Sequence, residues 1–236
     1  AGRYQVVLFA RKGKRQGSVS LTQIIANPLT AQAPKNSATV IFDKELKRIW
    51  NVNPDNNSLT VCDAKTLVKL REIPCGTKPR TLTFVDKQVW VVNEESTDIH
   101  IFDRVTFKFI KKIQLPYGSQ PYGILAGKNS VYVSTQGSGE VLRYSGSKLS
   151  GRIKCEGKLR GLALTADGKR LFATRFISSD ANAQIIEIDT ASFTRKNAIH
   201  LAIDPGPDTE DKGRGLPNYL SQIIISPDGK SAWVPS

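Results

Sequence analysis

The chain has 236 residues, 39% hydrophobic and 23% charged, a balance that is typical of a globular protein and excludes a disordered tail or a collagen-like rod. It has no run of about 18 apolar residues, so the sequence predicts no membrane-spanning helix. Its net charge of +13 favours acidic partners such as nucleic acid, anionic lipid or anionic polysaccharide. The Lys and Arg residues are nevertheless spread over the whole length, as they also are on a basic surface that faces water.

The first predicted strand is the apolar segment 6–10, and a basic run over 11–15 follows it. A basic run can bind nucleic acid, but no aromatic residues are interleaved with this one to stack on bases. A nucleic-acid partner is therefore not favoured, and the run is interpreted as a loop facing water.

The same kind of strand recurs along the rest of the chain, each time with an aromatic residue in its second position. These aromatic residues are Trp50, Trp90, Tyr132, Phe172 and Trp233. The steps between them are 40, 42, 40 and 61 residues, and Val7 in the fainter first copy precedes Trp50 by 43. A period of this length indicates a repeat architecture.

Within each period the elements follow one order: an apolar strand, a tight turn, the aromatic strand, a polar loop, an alternating strand that ends in Asp, and a fourth strand. The tight turns over 165–169 and 226–230 contain Asp-Gly, which supplies the positive φ of a hairpin turn. Four short strands in every forty or so residues make one blade of a β-propeller. The sequence therefore predicts an all-β chain, a β-propeller of four-stranded blades, in which the repeated Trp residues pack between blades.

The predicted propeller is a single domain over 1–236. Its repeats span 4–37, 38–76, 77–118, 119–157 and 158–219, with a partial copy over 220–236. Rings of this kind typically close with more blades. We therefore expect the chain to be part of a larger ring, and the absence of Met favours a processed secreted protein or a fragment.

The strands over 89–93 and 131–134 resemble those of the YVTN-type β-propellers, and the segments 122–124 and 160–162 are similar to the start of a blade in that family. The resemblance covers essentially the whole chain. It implies a bacterial surface or periplasmic protein, because members of this family are often found there. It also implies two enzymatic possibilities, since similar propellers include sugar-lactone hydrolases and parts of periplasmic redox enzymes, some with c-type cytochrome segments elsewhere in a longer chain.

A first candidate site is the mouth of the central channel, where each innermost strand begins. Alignment of the repeats places five residues at equivalent positions there: Ser37, Arg80, Tyr122, Arg160 and Ser221. Two arginines and a tyrosine can hold an anionic or sugar-like ligand through forked hydrogen bonds and ring stacking. The alternative is a polar mouth that is simply filled with water.

A second candidate site lies in two long loops, 177–183 and 203–217, which lengthen the last full period by about twenty residues. The second loop contains four carboxylates: Asp204, Asp208, Glu210 and Asp211. Carboxylate oxygens are ligands that calcium prefers, so this loop is predicted as a possible calcium site. The alternative is an acidic loop facing water, and no other cofactor is predicted in the chain.

The remaining chemistry-bearing residues give no catalytic signature. Cys62, Cys75 and Cys155 are odd in number and lack a CxxC spacing, and neither GxSxG nor HExxH occurs. The sequence therefore predicts a non-enzymatic binding or scaffold module of the bacterial cell envelope, with a protein or an anionic or carbohydrate ligand as partner. The alternative is a periplasmic enzyme or redox-enzyme subunit, lactonase-like or associated with a c-type cytochrome, with haem in a segment or partner outside this chain.

Overall fold

The computed structural model describes residues 2–25, 35–180, 182–209, 213–226 and 228–236. The chain divides into two compact units, Ala1–Gln32 and Ala33–Ser236. Every regular element in the described ranges is a β-strand. Within them there is no helix that is long and apolar enough to cross a membrane.

The first unit contains one antiparallel hairpin of β1 (Gly2–Lys12) and β2 (Arg15–Ile25). Gly13 lies in the turn with φ of 62°, so the basic run 11–15 forms the tip of the hairpin. In the predicted first repeat, the described residues thus form this hairpin and the short strand β3 (Lys35–Asn36), which belongs to the second unit.

The second unit contains four antiparallel sheets whose strands follow the chain, and we name them blades A to D. Blade A is β4 (Val40–Asp43), β5 (Arg48–Asn53), β6 (Ser58–Asp63) and β7 (Lys69–Pro74). Blade B is β8 (Pro79–Val85), β9 (Gln88–Asn93), β10 (Asp98–Asp103) and β11 (Phe109–Gln114). Blade C is β12 (Pro121–Ala126), β13 (Val131–Thr135), β14 (Glu140–Ser145) and β15 (Lys148–Lys154). Blade D is β16 (Leu159–Leu164), β17 (Arg170–Arg175), β18 (Ala183–Asp189) and β19 (Thr194–Leu201).

The core of this unit lies between the blades. Trp50 packs with residues of blade B, Trp90 with residues of blade C, Tyr132 with residues of blade D, and Phe172 with Ile223 beyond blade D. Four of the five aromatic residues that define the repeat are therefore buried contacts between consecutive sheets. This arrangement confirms the predicted fold, an all-β propeller of four-stranded blades.

A partial blade E follows blade D, with the short strands β20 (Ile224–Ile225) and β21 (Ala232–Trp233). Trp233 is 59% exposed, so the prediction that it packs between blades is wrong for this residue. Among the described residues of the second unit, no further strand follows β21. The short strand β3 pairs with the inner strand β16 and so adds a fifth strand to the sheet of blade D.

Candidate functional site

Three of the predicted mouth residues meet at one end of the inner strands. Arg80, Tyr122 and Arg160 are each the second residue of β8, β12 or β16, so blade stacking brings them side by side. The guanidinium carbon of Arg160 lies 4.4 Å from the centre of the Tyr122 ring, and that of Arg80 lies 5.3 Å from it. Both distances are within the range of a cation–π contact.

A hydrogen-bonded network behind these side chains joins three blades. Arg80 Nε donates to one carboxylate oxygen of Glu94, and the amide nitrogen of Gln136 donates to the other. The amide oxygen of Gln136 in turn accepts a 3.0 Å hydrogen bond from Arg160 Nε. Glu94 and Gln136 are each only 8% exposed. Both arginines are therefore hydrogen-bonded to buried polar side chains.

Arg160 differs from Arg80 in its partner, because its hydrogen bond goes to a neutral amide and not to a carboxylate. Its guanidinium carbon also lies 3.2 Å from the centre of the Phe176 ring. Burial lowers the pKa of Arg160, and the nearby charge of Arg80 lowers it further, while Tyr122 and Glu94 oppose this shift. Arg160 is therefore a partly desolvated cation that, within the described residues, forms no ion pair.

Lys78 adds a further positive charge beside this group. Its ammonium lies 3.0 Å from Glu95 and 3.9 Å from Glu94. Three cations, Lys78, Arg80 and Arg160, thus face two carboxylates, and the site as a whole carries an excess of positive charge. Such a site attracts anions.

Neither of the two predicted serines is an open residue of the mouth in the way that Arg80 and Tyr122 are. Ser37 is 0% exposed, and its hydroxyl accepts a 3.0 Å hydrogen bond from the backbone nitrogen of Leu162. Its own backbone nitrogen donates to the Leu162 carbonyl at 2.8 Å, so Ser37 joins the segment that contains β3 to blade D and does not line an open mouth. Ser221 is half-buried in the segment before β20, and beside it the amide oxygen of Gln222 is buried without a hydrogen-bond partner among the described residues.

The predicted calcium loop is described only in part. Glu210 and Asp211 lie outside the described residues, whereas Asp204 forms an ion pair with Arg214 and Asp208 accepts a 2.6 Å hydrogen bond from the Arg214 backbone. In the described ranges no three His, Cys, Asp or Glu side chains come together as a metal site would require. Calcium binding at this loop stays a prediction.

The two long loops of blade D contact each other beside the site. The backbone nitrogen of Ser178, in the first loop, donates to the side-chain oxygen of Asn218 at 3.0 Å. The Ser178 hydroxyl donates to the Pro217 carbonyl at 2.6 Å. Phe176, which precedes the first loop, packs against Tyr219 with ring centres 5.4 Å apart. The loops therefore support the aromatic ring on which Arg160 rests.

Three residues of the site were missed from the sequence: Glu94, Gln136 and Phe176. Each directly follows the second strand of its blade, and they are separated by steps of 42 and 40 residues, the period of the aromatic strand. The same alignment that found Arg80 and Arg160 would have found them.

Comparison with protein-family models and with curated proteins finds no match for this chain. Among solved structures, it is similar to a chain of Kuenenia stuttgartiensis hydrazine synthase, with a TM-score of 0.70, 18% identity and coverage of 90% of this chain and 58% of that chain. It is also similar to a proposed 6-phosphogluconolactonase from Bacteroides fragilis, with a TM-score of 0.64, 17% identity and coverage of 98% and 69%.

A third similar structure is the dihydro-haem d1 dehydrogenase NirN, with a TM-score of 0.54, 12% identity and coverage of 70% of this chain and 38% of that one. The chain thus spans 58% of the hydrazine synthase chain and 38% of NirN. At these identities the similarity shows the propeller fold alone, because unrelated activities share this fold.

Proposed function

We propose that this protein is a non-enzymatic binding module of the bacterial cell envelope, and that it takes a ligand combining a carboxylate or phosphate with a sugar-like body. The ligand lies against Arg80, Tyr122 and Arg160. The observation that carries the proposal is the environment of Arg160, a half-buried cation held by a neutral amide between two aromatic rings.

A cation that has lost part of its hydration gains most from an anionic partner. Nε of Arg160 is occupied by Gln136, and among the described residues its two terminal nitrogens make no hydrogen bond. These two nitrogens form the planar fork that matches a carboxylate or phosphate. The partly exposed Tyr122 ring offers an apolar surface to the rest of the ligand.

The network behind the arginines supports binding by holding them in place before the ligand arrives. Glu94 and Gln136 are buried and bonded at both ends of their side chains. Less side-chain freedom is then lost on binding, which favours affinity.

The envelope location rests on the resemblance to YVTN-type propellers. Fractionation of the native cells tests it separately from ligand binding. Recovery of the protein with the cytosolic fraction after the outer envelope has been removed would contradict this part of the proposal.

The binding proposal is tested by thermal melting with D-glucuronate as the probe and neutral D-glucose as its control. A ligand that binds only the folded state raises the midpoint of unfolding. We expect glucuronate to raise the midpoint, Arg160→Gln to abolish the rise, and Arg195→Gln to retain it. Arg195 is a suitable control because it lies exposed on the outer strand of the same blade and its substitution changes the charge equally.

Two results would contradict the proposal. An equal rise with glucuronate in the protein and in its Arg160→Gln variant would place the anion elsewhere. An equal rise with glucose would show that the negative charge of the ligand does not contribute to its recognition.

The enzyme alternative makes a different prediction about the same arginine. If the protein hydrolyses sugar lactones, turnover of 6-phosphogluconolactone should be lost in Arg160→Gln and kept in Arg195→Gln. Absence of turnover, together with binding of the anionic probe, favours the binding module.

A further inference from the structure

The fourth strand of each blade is strongly basic, and we call β7, β11, β15 and β19 the outer strands. Together they contain nine Lys or Arg residues, two in each of β7, β11 and β19 and three in β15, and a single carboxylate, Glu72. All nine cations are exposed. The neighbouring third strands, β6, β10, β14 and β18, have the opposite balance, with six carboxylates and one Lys or Arg, Arg143. Positive charge is therefore concentrated at the outer edge of each sheet.

The outer strands and the first unit account for the whole net charge of the chain. The outer strands have a net charge of +8, and the first unit, Ala1–Gln32, has five Lys or Arg residues and no carboxylate. The remaining residues have twenty cations and twenty carboxylates. The basic residues are thus spread along the sequence but not over the folded blades. Because the first unit contains no carboxylate, it has no side chain that could neutralise the outer strands.

The exposure of the outer strands follows from their place in the sheets. Each is the last strand of its blade and pairs only with the third strand. The inner strands β8, β12 and β16 contact one another, so the outer strands lie at the sheet edges away from them. Such an edge is open in a ring of any number of blades. Its exposure therefore does not depend on which blades precede or follow these four.

Most cations of the outer strands have no acidic partner. Lys69 forms an ion pair with Glu72 at 3.2 Å, and Arg152 forms one with Glu140 at 2.9 Å. The other seven form no ion pair among the described residues. Like charges on one surface repel each other, and a polyanion that lies along them relieves this repulsion and releases its own counterions. The outer strands are therefore a surface that favours an anionic partner.

Protection of the sheet edges explains only part of this pattern. Charged side chains at an edge prevent it from pairing with another chain. That role requires charge, but it does not require the near absence of carboxylates. A single carboxylate among ten charged residues is a bias of sign, which edge protection leaves unexplained.

We propose that the outer strands of blades A to D bind a flexible anionic polysaccharide. Their charges are divided among four separate strands, and only a chain that bends can follow them from blade to blade. Double-stranded DNA is stiff over about 50 nm, and a bilayer surface is flat, so each would contact only part of this surface. Single-stranded nucleic acid is bound largely by stacking on aromatic rings, and Phe109 is the one Phe, Tyr or Trp residue in the four strands.

Fluorescence anisotropy of a labelled polygalacturonate fragment, which carries one carboxylate on each sugar, tests the proposal. An outer-strand variant with Arg71→Gln, Lys112→Gln, Lys148→Gln and Lys196→Gln removes one exposed cation without an ion pair from each blade. We expect its affinity for the polysaccharide to be at least about tenfold weaker than that of the parent. We also expect its affinity to depend less steeply on salt, because fewer counterions are released on binding.

A control variant with Lys44→Gln, Lys87→Gln, Lys128→Gln and Lys169→Gln removes the same charge from the same blades. These four lysines are exposed and lie in the turn between the first and second strands of blades A to D. They are at least two strand spacings, about 10 Å, from the outer strand, a separation at which salt screens charge. We expect this variant to bind within about threefold of the parent. Any larger difference between the two variants then reports the position of the charges.

Four outcomes would overturn the proposal. Absence of binding by the parent at low salt would mean that the outer strands take no polysaccharide. An equal loss in both variants would assign binding to the overall charge of the protein. A single-stranded oligonucleotide or a phosphatidylglycerol vesicle that binds the outer strands more tightly than polygalacturonate does would identify a different partner. Binding that is lost in Arg160→Gln but kept in the outer-strand variant would place the polysaccharide at the channel mouth.

The outer strands and the mouth are tested independently. Arg160→Gln should bind polygalacturonate as the parent does, because Arg160 lies on an inner strand. The response to glucuronate is measured by melting with a different probe. Either proposal can therefore fail while the other stands.

Discussion

Two arginines cross between blades at opposite ends of the strands, and their surroundings differ in kind. Arg104 donates from Nε and Nη2 to the two oxygens of Asp43 at 2.7 and 2.8 Å, and it also bonds Glu45 at 2.5 Å. Arg160 donates from Nε to the amide oxygen of Gln136. The bonds to Asp43 raise the pKa of Arg104, whereas burial lowers the pKa of Arg160.

The difference separates the structural role of Arg104 from the binding role that we propose for Arg160. The charge of Arg104 is satisfied by a carboxylate that is itself 0% exposed, so this pair ties blade A to blade B. The guanidinium of Arg160 lies against the Tyr122 and Phe176 rings, and among the described residues its two terminal nitrogens form no hydrogen bond. We infer that an arginine without a carboxylate partner is the better indicator of a ligand site here.

The largest effect is expected for Arg104→Gln. It leaves the buried carboxylate of Asp43 without a cation, and breaking a buried ion pair in this way costs about 3–5 kcal/mol. Urea unfolding should show this loss, while Arg195→Gln should unfold as the parent does. A loss below about 1 kcal/mol would mean that the pair acts as a surface ion pair. The structural role assigned to Arg104 would then be wrong.

An intermediate effect is expected for Gln136→Leu. It removes the hydrogen-bond partner of one Glu94 oxygen and of Arg160 Nε, and an unsatisfied buried polar group costs about 1–3 kcal/mol. The same variant should weaken the response to glucuronate, because Arg160 is no longer held. Unchanged melting and unchanged binding would show that the amide does not position the arginine.

A smaller effect is expected for Arg160→Gln. It removes cation–π contacts and one hydrogen bond but also the cost of a partly desolvated charge, so stability should fall by no more than about 1 kcal/mol. Loss of the glucuronate response with little loss of stability would confirm a binding role. A destabilisation as large as that of Arg104→Gln would instead make both arginines structural.

The smallest effect is expected for the pH dependence of the urea midpoint between pH 7 and 9. Folding raises the pKa of Cys75 to about 12 and that of Cys155 to about 11, mainly through burial, so the folded state favours the neutral thiols. Their contribution to stability is complete below the unfolded pKa near 9.0 and is lost as the pH rises from there towards 12. The urea midpoint should be insensitive to these thiols up to pH 9 and fall above it.

A Cys75→Ala, Cys155→Ala double variant provides the control for this pH dependence. Its midpoint should fall less steeply above pH 9, with part of the fall remaining because burial also raises the pKa of Tyr144 to about 12. An equal slope in the parent and the double variant would assign the alkaline loss to other groups.

Much of the fold follows from the period of the sequence, while the site follows from it only in part. Steps of 40 and 42 residues between Trp50, Trp90 and Tyr132 predict the blades, and the structure has them. The same alignment predicts that Arg80 and Arg160 lie together. It does not reveal that Ser37 is buried, because the pairing of β3 with β16 joins segments more than a hundred residues apart.

The sequence by itself determined the local features of this protein. Alternating apolar residues define the strands, and Asp residues at strand ends close the turns through bonds to residues two or three positions on, as Asp63 and Asp103 do. Such contacts depend on neighbours in the chain. They can therefore be predicted from spacing alone.

Only the tertiary structure decided which charges are paired. Arg80, Glu94, Gln136 and Arg160 come from three different blades, and their hydrogen bonds depend on how the sheets stack. Sequence periodicity indicates which positions face a neighbouring blade, but the presence and chemistry of that neighbour are properties of the folded assembly.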